Sequence, residues 1–414
     1  MSLTIGNFHL ENIKFADKTN LSSGTLMVDE EAMSAHLLSN DKRLNKVRVE
    51  LAHPGQSVRI ICVKDVLRPW CKVEDQGPGE GVLHVMGNAT VITCGKIVGY
   101  QEGIIDMSGP GAAYSPFGQT INIVLELEVV EGTTPHQHEE AMREAGLRAA
   151  AYLGETMQDL VPDKIDVYPA ESADSIDPTL PRIAYIYMLL SQGLLHDTYL
   201  FGRNAIEGLP CIIPPTHLLD NGLTSGNCVS ACDKNTTWHH QNNPLLAQLL
   251  TRHGKDLNFV GVVLTNEPVR LAHKRQSAQR AVELTRTLTP DGVVISKEGF
   301  GNPDADQMML IQGLEQAGIK TCGLTDEYPG PDGCSPSLAD VTPQADAMVS
   351  TGNANERVLL PPMARTLGPI KDLTLLAGAY PQSLREDGSL EIELQGLVGA
   401  TNQLGAQFLR CEEV

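Results

Sequence analysis

From residue 243 onward the chain alternates short apolar runs with amphipathic stretches, and this rhythm constrains its architecture more than any other feature. Asn243-Pro244 reads as a helix cap followed by proline at the first helical position. Leu245, Leu246, Leu249 and Leu250 then fall on one face, and Gly254 ends the helix. Residues 259–264 form a buried strand and 269–287 a helix with Leu271, Ala278, Ala281, Val282 and Leu288 inward. Residues 292–296 are the next strand. Asn302-Pro303-Asp304-Ala305-Asp306 opens another helix, which runs to Gly318. Runs at 319–324 and 346–350 complete the series. Strands separated by whole helices need crossover connections, so the spacing predicts an α/β fold whose C-terminal half is a doubly wound parallel sheet.

Such sheets bind ligands beyond the carboxyl ends of their strands. Those ends carry Thr265-Asn266-Glu267, the 297–302 segment, Thr325-Asp326-Glu327-Tyr328 and Thr351-Gly352-Asn353. Glu298, Asp326 and Asn353 are therefore pocket candidates, in a polar and acidic setting suited to a small cationic substrate or a partner's catalytic loop. No G-x-G-x-x-G follows a strand, so a dinucleotide is not indicated.

The N-terminal half reads as strand-rich. Apolar and polar residues alternate over 47–51 and 57–61, with further strand candidates at 89–93 and 121–127. These strands suggest a compact barrel or sandwich. A helix starts near Thr134-Pro135, where His136, His138 and Glu139 read as a solvated first turn rather than a metal site. The Pro- and Asp-rich stretch 162–180 reads as a linker or surface loop, 182–190 as a buried strand, and 210–215 as a short apolar run. This gives a strand-rich domain over 1–132, a mixed α/β segment over 133–227 and a parallel α/β domain over 228–414.

Between these parts lies Gly226-Asn227-Cys228-Val229-Ser230-Ala231-Cys232-Asp233. Gly226 and Asn227 suit a strained turn, since both visit the left-handed region more readily than other residues. Strain of about 1–3 kcal/mol can persist where a rigid fold surrounds it. In such a turn the Cys228 thiolate can attack the Asn227 carbonyl and move the acyl group from nitrogen to sulfur. Elimination then gives dehydroalanine, whose hydrolysis leaves a pyruvoyl group, and the sulfur departs as sulfide. A thiol is only a few per cent ionised near neutral pH, so a base or cation must stand close by. Asp233, His239 and His240 are candidates by proximity in sequence. Two plainer readings compete: a surface turn with Cys228 as a small buried hydrophobe, and a zinc site from Cys228, Cys232, His239 and His240. The C-x3-C spacing fits zinc, but adjacent histidines point apart in a strand.

Composition excludes several classes. The net charge is −20, from 51 acidic against 31 basic residues, which opposes nucleic-acid binding. Aromatic residues make up 4%, too few for a base-stacking platform. No apolar run approaches a membrane span, and the N-terminus lacks the charged-then-apolar pattern of a signal peptide. Nine dispersed cysteines form no disulfide framework. The expectation is a cytoplasmic protein.

Six segments together resemble one family: GNCVSACDKNTTWHHQNNP (226–244), SKEGFGNPDAD (296–306), TDEYPG (325–330), TGNAN (351–355), KIVGYQEGIIDMSGPGA (96–112) and ELQGLVGATNQLGAQ (393–407). The chain resembles the proprotein subunit of component B of the glycine, sarcosine and betaine reductases, over nearly its whole length. D-proline reductase is similar in logic and more distant. The resemblance implies cutting before Cys228 into fragments 1–227 and 228–414, with Cys228 as pyruvoyl precursor and Asn227 supplying the scissile carbonyl. Cys232 and Asp233 would shape the junction, and His239 or His240 would assist proton transfer. It further implies a hetero-oligomer whose partner subunit carries selenocysteine. The substrate amine condenses with the pyruvoyl carbonyl, and the partner's selenolate displaces the activated nitrogen. Glycine and sarcosine can condense in this way; a quaternary amine such as betaine cannot. An uncut scaffold of the same complex and a pyruvoyl-dependent decarboxylase are the alternatives.

Overall fold

The computed structural model describes residues 2–99, 102–169, 177–192 and 195–405. It is a mixed α/β chain with several sheets and few long helices. The largest sheet has six strands in the order Cys211–Ile213, Asn258–Asn266, Arg182–Leu189, Gly292–Ser296, Lys320–Glu327 and Met348–Asn353. The last five run parallel, and the first closes one edge antiparallel.

The sheet differs from the expected arrangement in two ways. Its middle strand, Arg182–Leu189, comes from ahead of residue 228 and pairs on both sides with strands that follow it. The run is long and apolar enough to be buried on both faces, which a central position requires. The second difference is in the layers. Ala184, Ile186 and Met188 point toward the helices Leu271–Thr287 and Asn302–Gln316, which pack on each other on one face. Tyr185, Tyr187 and Leu189 point the other way, toward Leu246 and Leu249 of the helix Pro244–Arg252 and toward Leu3, Ile5, Leu83 and Val85 of the N-terminal sheets. The second face is thus covered by a helix and by another sheet, whose Leu3, Ile5, Leu83 and Val85 supply the apolar contacts. Tyr185 and Tyr187 are fully buried, and their hydroxyls bond Ser296 Oγ at 2.6 Å and His240 Nδ1 at 2.6 Å.

The N-terminal half is strand-rich as expected. One four-stranded sheet orders Lys164–Pro169, Ser2–Phe8, Gly81–Met86 and Trp70–Asp75, and a second orders Leu44–Ala52, Ile121–Val129, Ala89–Cys94 and Val63–Leu67. Part of the expected 162–180 loop is therefore a strand, Lys164–Pro169, paired antiparallel with Ser2–Phe8; residues 170–176 lie outside the described residues. The helix Pro135–Gly154 begins with the Thr134 and Gln137 side chains capping each other's backbone. Its start is not wholly solvated: Glu139, the fifth helical residue, is buried and pairs with Lys64.

The C-terminal segment returns to the middle of the molecule. Leu394, Leu397 and Ala400 join a core with Ile61, Ile104 and Cys232. Ala231 N–H donates to the Gln395 carbonyl, Gly399 N–H to that of Ala231, and Thr401 N–H to that of Cys232. The 226–236 loop is thereby held between the carboxyl ends of the parallel strands and the N-terminal sheets.

A candidate site for self-processing

Main-chain carbonyls of Leu195 and Asp197 fix the 226–228 backbone. Gly226 N–H donates to the Asp197 carbonyl at 2.8 Å, and Cys228 N–H to the Leu195 carbonyl at 2.9 Å. Neither Gly226 nor Asn227 has a positive φ, which corrects the expected left-handed turn. Gly226 is required for space instead. A Cβ there would sit 2.7 Å from the Tyr199 ring and 2.8 Å from the Asp197 carbonyl oxygen.

Asn227 is fully buried. Its carbonyl oxygen accepts a hydrogen bond from Lys234 Nζ, which also donates to the Lys64 carbonyl. Its side-chain amide donates to Glu298 Oε1 at 2.9 Å, and the same oxygen accepts from Asn235 N–H at 2.9 Å. An ammonium group on a carbonyl oxygen is the geometry that stabilises an oxyanion. Lys64 stands behind, donating to Glu139 Oε1 at 2.8 Å and to the Ser225 carbonyl at 3.1 Å. Burial acts to lower its pKa, but Glu139 and Asp65 outweigh this and hold it above the usual lysine value.

The Cys228 thiol is buried and pushed up to about 12, first by burial and then by the Glu102 charge, while Lys234 and Lys64 pull it down. Glu102 is itself buried and pushed up to about 7 by burial, with Lys234, Lys64 and the Cys228 side chain acting to lower it. Neither Glu102 oxygen has a partner at normal hydrogen-bond geometry among the described residues. Glu102 reaches the loop because the next residue is glycine: a Cβ on Gly103 would lie 2.5 Å from Ala231 Cβ.

The loop's other flank is acidic. Asp233 Oδ2 accepts from the Tyr328 hydroxyl at 3.3 Å, and Oδ1 has no partner among the described residues. Cys232 Sγ lies 3.2 Å from the same hydroxyl. Asp326 accepts from Thr401 at 3.0 Å and from Gln403 at 2.5 Å, with Lys297 Nζ 3.9 Å away. Burial pushes Asp233 up to about 7 and Asp326 well above the carboxylate range, each further raised by a nearby carboxylate. Glu298 is pushed up to about 7 by burial as well.

The sequence candidates thus separate. Asn227, Cys228 and Glu298 come together around the 227–228 peptide, while Cys232, Asp233 and Asp326 gather on the opposite flank. Asn353 stays apart, accepting from Asn355 N–H at 2.9 Å in a local turn. His239 and His240 do not reach the junction. His239 Nδ1 lies 2.8 Å from Thr236 Oγ1, its ring lies against Phe117, and His240 faces Tyr187. Burial pushes both down to about 3, so they are neutral. The four zinc candidates do not converge either; among the described residues, Cys232, Asp233 and Asp326 are the one set with metal-ligand spacing. Lys234, Lys64 and Glu102 escaped the sequence reading. Lys234 was within reach of it, six residues after Cys228, but Lys64 and Glu102 carry no local signal.

A cavity of about 190 Å³ adjoins the loop, lined among others by Val229, Ser230, Asp233, Phe300 and Asn302. Among the described residues no two cysteines form a disulfide. Among the described residues no helix is long and apolar enough to cross a membrane.

The family model described as glycine/sarcosine/betaine reductase component B subunits matches residues 1–412. The glycine reductase complex component B subunits alpha and beta of Peptoclostridium acidaminophilum are 45% identical, with 99% of each chain covered. The sarcosine reductase complex component B subunit alpha of the same organism is 45% identical, over 99% of this chain and 100% of that one. Its betaine reductase complex component B subunit alpha is 32% identical over 95% of each. No solved structure matches the chain.

Proposed function

The chain belongs to the glycine/sarcosine/betaine reductase component B subunits, and from that premise we propose that it is a proprotein that cuts itself between Asn227 and Cys228. The single observation that carries this reading is the Lys234 ammonium on the Asn227 carbonyl, immediately before Cys228. Glu102 takes the thiol proton, Cys228 Sγ adds to the carbonyl carbon, and Lys234 holds the oxyanion. Collapse moves the acyl group to sulfur and frees the Cys228 amine. Elimination across Cα–Cβ releases Asn227 as a thiocarboxylate. Water then replaces nitrogen at Cα as ammonia leaves, and a second water converts the thiocarboxylate to a carboxylate and sulfide. A relative named as subunits alpha and beta in one chain, matched over 99% of its length, supports a precursor of two pieces.

The resulting pyruvoyl group supplies a carbonyl electrophile for a substrate amine. Residues of this chain orient that amine and exclude water, and a selenocysteine of a partner subunit in a cytoplasmic hetero-oligomer completes reductive C–N cleavage. Equal identity to the glycine and sarcosine relatives, against a lower value for the betaine relative, favours a substrate with a primary or secondary amine.

Intact mass under denaturing conditions tests the proposal. Scaling 44.7 kDa by length gives fragments of roughly 25 and 20 kDa. The smaller is expected to be blocked to N-terminal sequencing and to react with phenylhydrazine. A single chain of full mass, before and after co-expression with the partner, overturns it.

A further inference from the structure

We propose that the cavity beside Val229 and Ser230 is a zwitterion site, in which Asp233 takes the ammonium of a small α-amino acid and the first turn of the Asn302–Gln316 helix takes its carboxylate. The proposal rests on the reading above for placing the reacting carbonyl at residue 228, next to this cavity.

Asp233 lines the cavity from inside the loop and is fully buried. Its Oδ1 has no hydrogen-bond donor among the described residues. A buried carboxylate oxygen without a donor is costly, and a ligand N–H would satisfy it. Burial pushes this carboxyl up to about 7, which suits it to accept the ammonium proton and leave the nitrogen with a free lone pair.

Gly299, Phe300, Asn302 and Pro303 line another part of the same cavity. They belong to the N-terminal end of a 15-residue helix that no side chain caps; its N-cap residue is Gly301. Pro303 carries no N–H and the Asp304 N–H donates to the Gly301 carbonyl at 3.1 Å, so this end offers a ligand carboxylate its positive dipole and the N–H groups that precede Pro303. Two buried lysines brace the segment, each also paired with a carboxylate of this helix, Lys297 with Asp304 at 2.8 Å and Lys274 with Asp306. Lys297 Nζ donates to the Gly299 carbonyl at 2.7 Å and Lys274 Nζ to the Asn302 carbonyl at 2.8 Å. One cavity of about 190 Å³ therefore has an unpartnered carboxylate oxygen and an uncapped helix end on its walls. This suits an amino acid with little or no side chain.

The test is equilibrium dialysis of the full chain against labelled glycine, methylamine and acetate, for the natural protein and for Asp233→Asn. Intact mass and phenylhydrazine reactivity are read on the same samples. Methylamine and acetate are expected to bind at least tenfold more weakly than glycine. Asp233→Asn should weaken glycine at least tenfold and acetate less than threefold. Methylamine or acetate binding as tightly as glycine, or glycine binding within twofold in Asp233→Asn, overturns the proposal. The ligand series on the natural protein decides the question even if the variant does not fold. Glycine selectivity in a chain that stays uncut and carbonyl-free after co-expression with the partner supports the cavity and removes the pyruvoyl reading. A cut, carbonyl-bearing chain without that selectivity removes the cavity proposal alone.

Discussion

The two flanks of the 227–235 loop are equally dry and hold opposite charge. On one, Lys64 and Lys234 donate to main-chain carbonyls, including that of Asn227, with Glu139 and Glu102 close by. On the other, Asp233 and Cys232 meet at the Tyr328 hydroxyl with Asp326 alongside them, and Lys297 is the cation near Asp326. Burial favours whichever form carries less unpaired charge. Lys64 keeps its proton because a carboxylate and a carbonyl receive it; Asp233 and Asp326 tend to gain one because burial disfavours their charge and a second carboxylate adds to this, Glu298 at Asp233 and Asp233 at Asp326. The difference teaches that water exclusion alone sets no chemistry. The partners decide whether a buried group becomes an electrophile's anchor or a proton carrier.

The sharpest way to break this contrast is at the basic flank. Cys228→Ala is expected to abolish cleavage and phenylhydrazine reactivity entirely, by intact mass. Lys234→Met should slow cleavage about 10²–10³-fold, the cost of one lost oxyanion donor, about 3–4 kcal/mol. If Lys234→Met matures at the natural rate, the two flanks do not differ in function.

Glu102 gives the next largest effect. Below about 7 its carboxyl is protonated and cannot accept the thiol proton; above it, it can. Cleavage in a pH-jump experiment should therefore speed up as pH rises and level off above about 7. Glu102→Gln should slow it about tenfold to a hundredfold and remove that inflection, leaving a rate that keeps rising toward the thiol's own ionisation.

The acidic flank is tested through stability. Asp233 has a native pKa near 7 against about 3.8 unfolded, so its favourable contribution is complete below 3.8 and lost as pH rises through about 7. Asp233→Asn carries no such loss. Between pH 5 and pH 8 its unfolding free energy should gain about 1–3 kcal/mol relative to the natural protein, read from denaturant midpoints. The smallest effect belongs to neither flank. His239→Asn, at a ring that is neutral and turned toward Phe117, should change the cleavage rate less than about threefold.

The C-terminal elements were legible because caps, prolines and apolar periodicity are local. The helices at 244–252, 271–287 and 302–316 follow directly from Asn243-Pro244, the inward alanines and Asn302-Pro303. That Arg182–Leu189 inserts between later strands was not legible, since pairing order is a long-range choice. The same limit applies to the site. Asn227, Cys228 and Glu298 were found from local motif and strand-end logic and lie together. Asp326 was found by the same logic and sits across the loop. Glu102 and Lys64 arrive from over a hundred residues away, and the nearby histidines drew attention only by being nearby.

The position of Arg182–Leu189 has a consequence for what a cut would mean. This strand precedes residue 228, and both its neighbours, Asn258–Asn266 and Gly292–Ser296, follow it. Breaking the Asn227–Cys228 bond ends covalent continuity without releasing either piece, because each supplies strands to one ladder. Under native conditions the two polypeptides would migrate as one species, and neither could be exchanged for a fresh copy without melting the sheet. Refolding would change its kinetic order. The uncut chain closes the sheet within one molecule, whereas two fragments must first meet, so recovery after denaturation would depend on concentration. Cleavage would thus turn a unimolecular folding reaction into a bimolecular one.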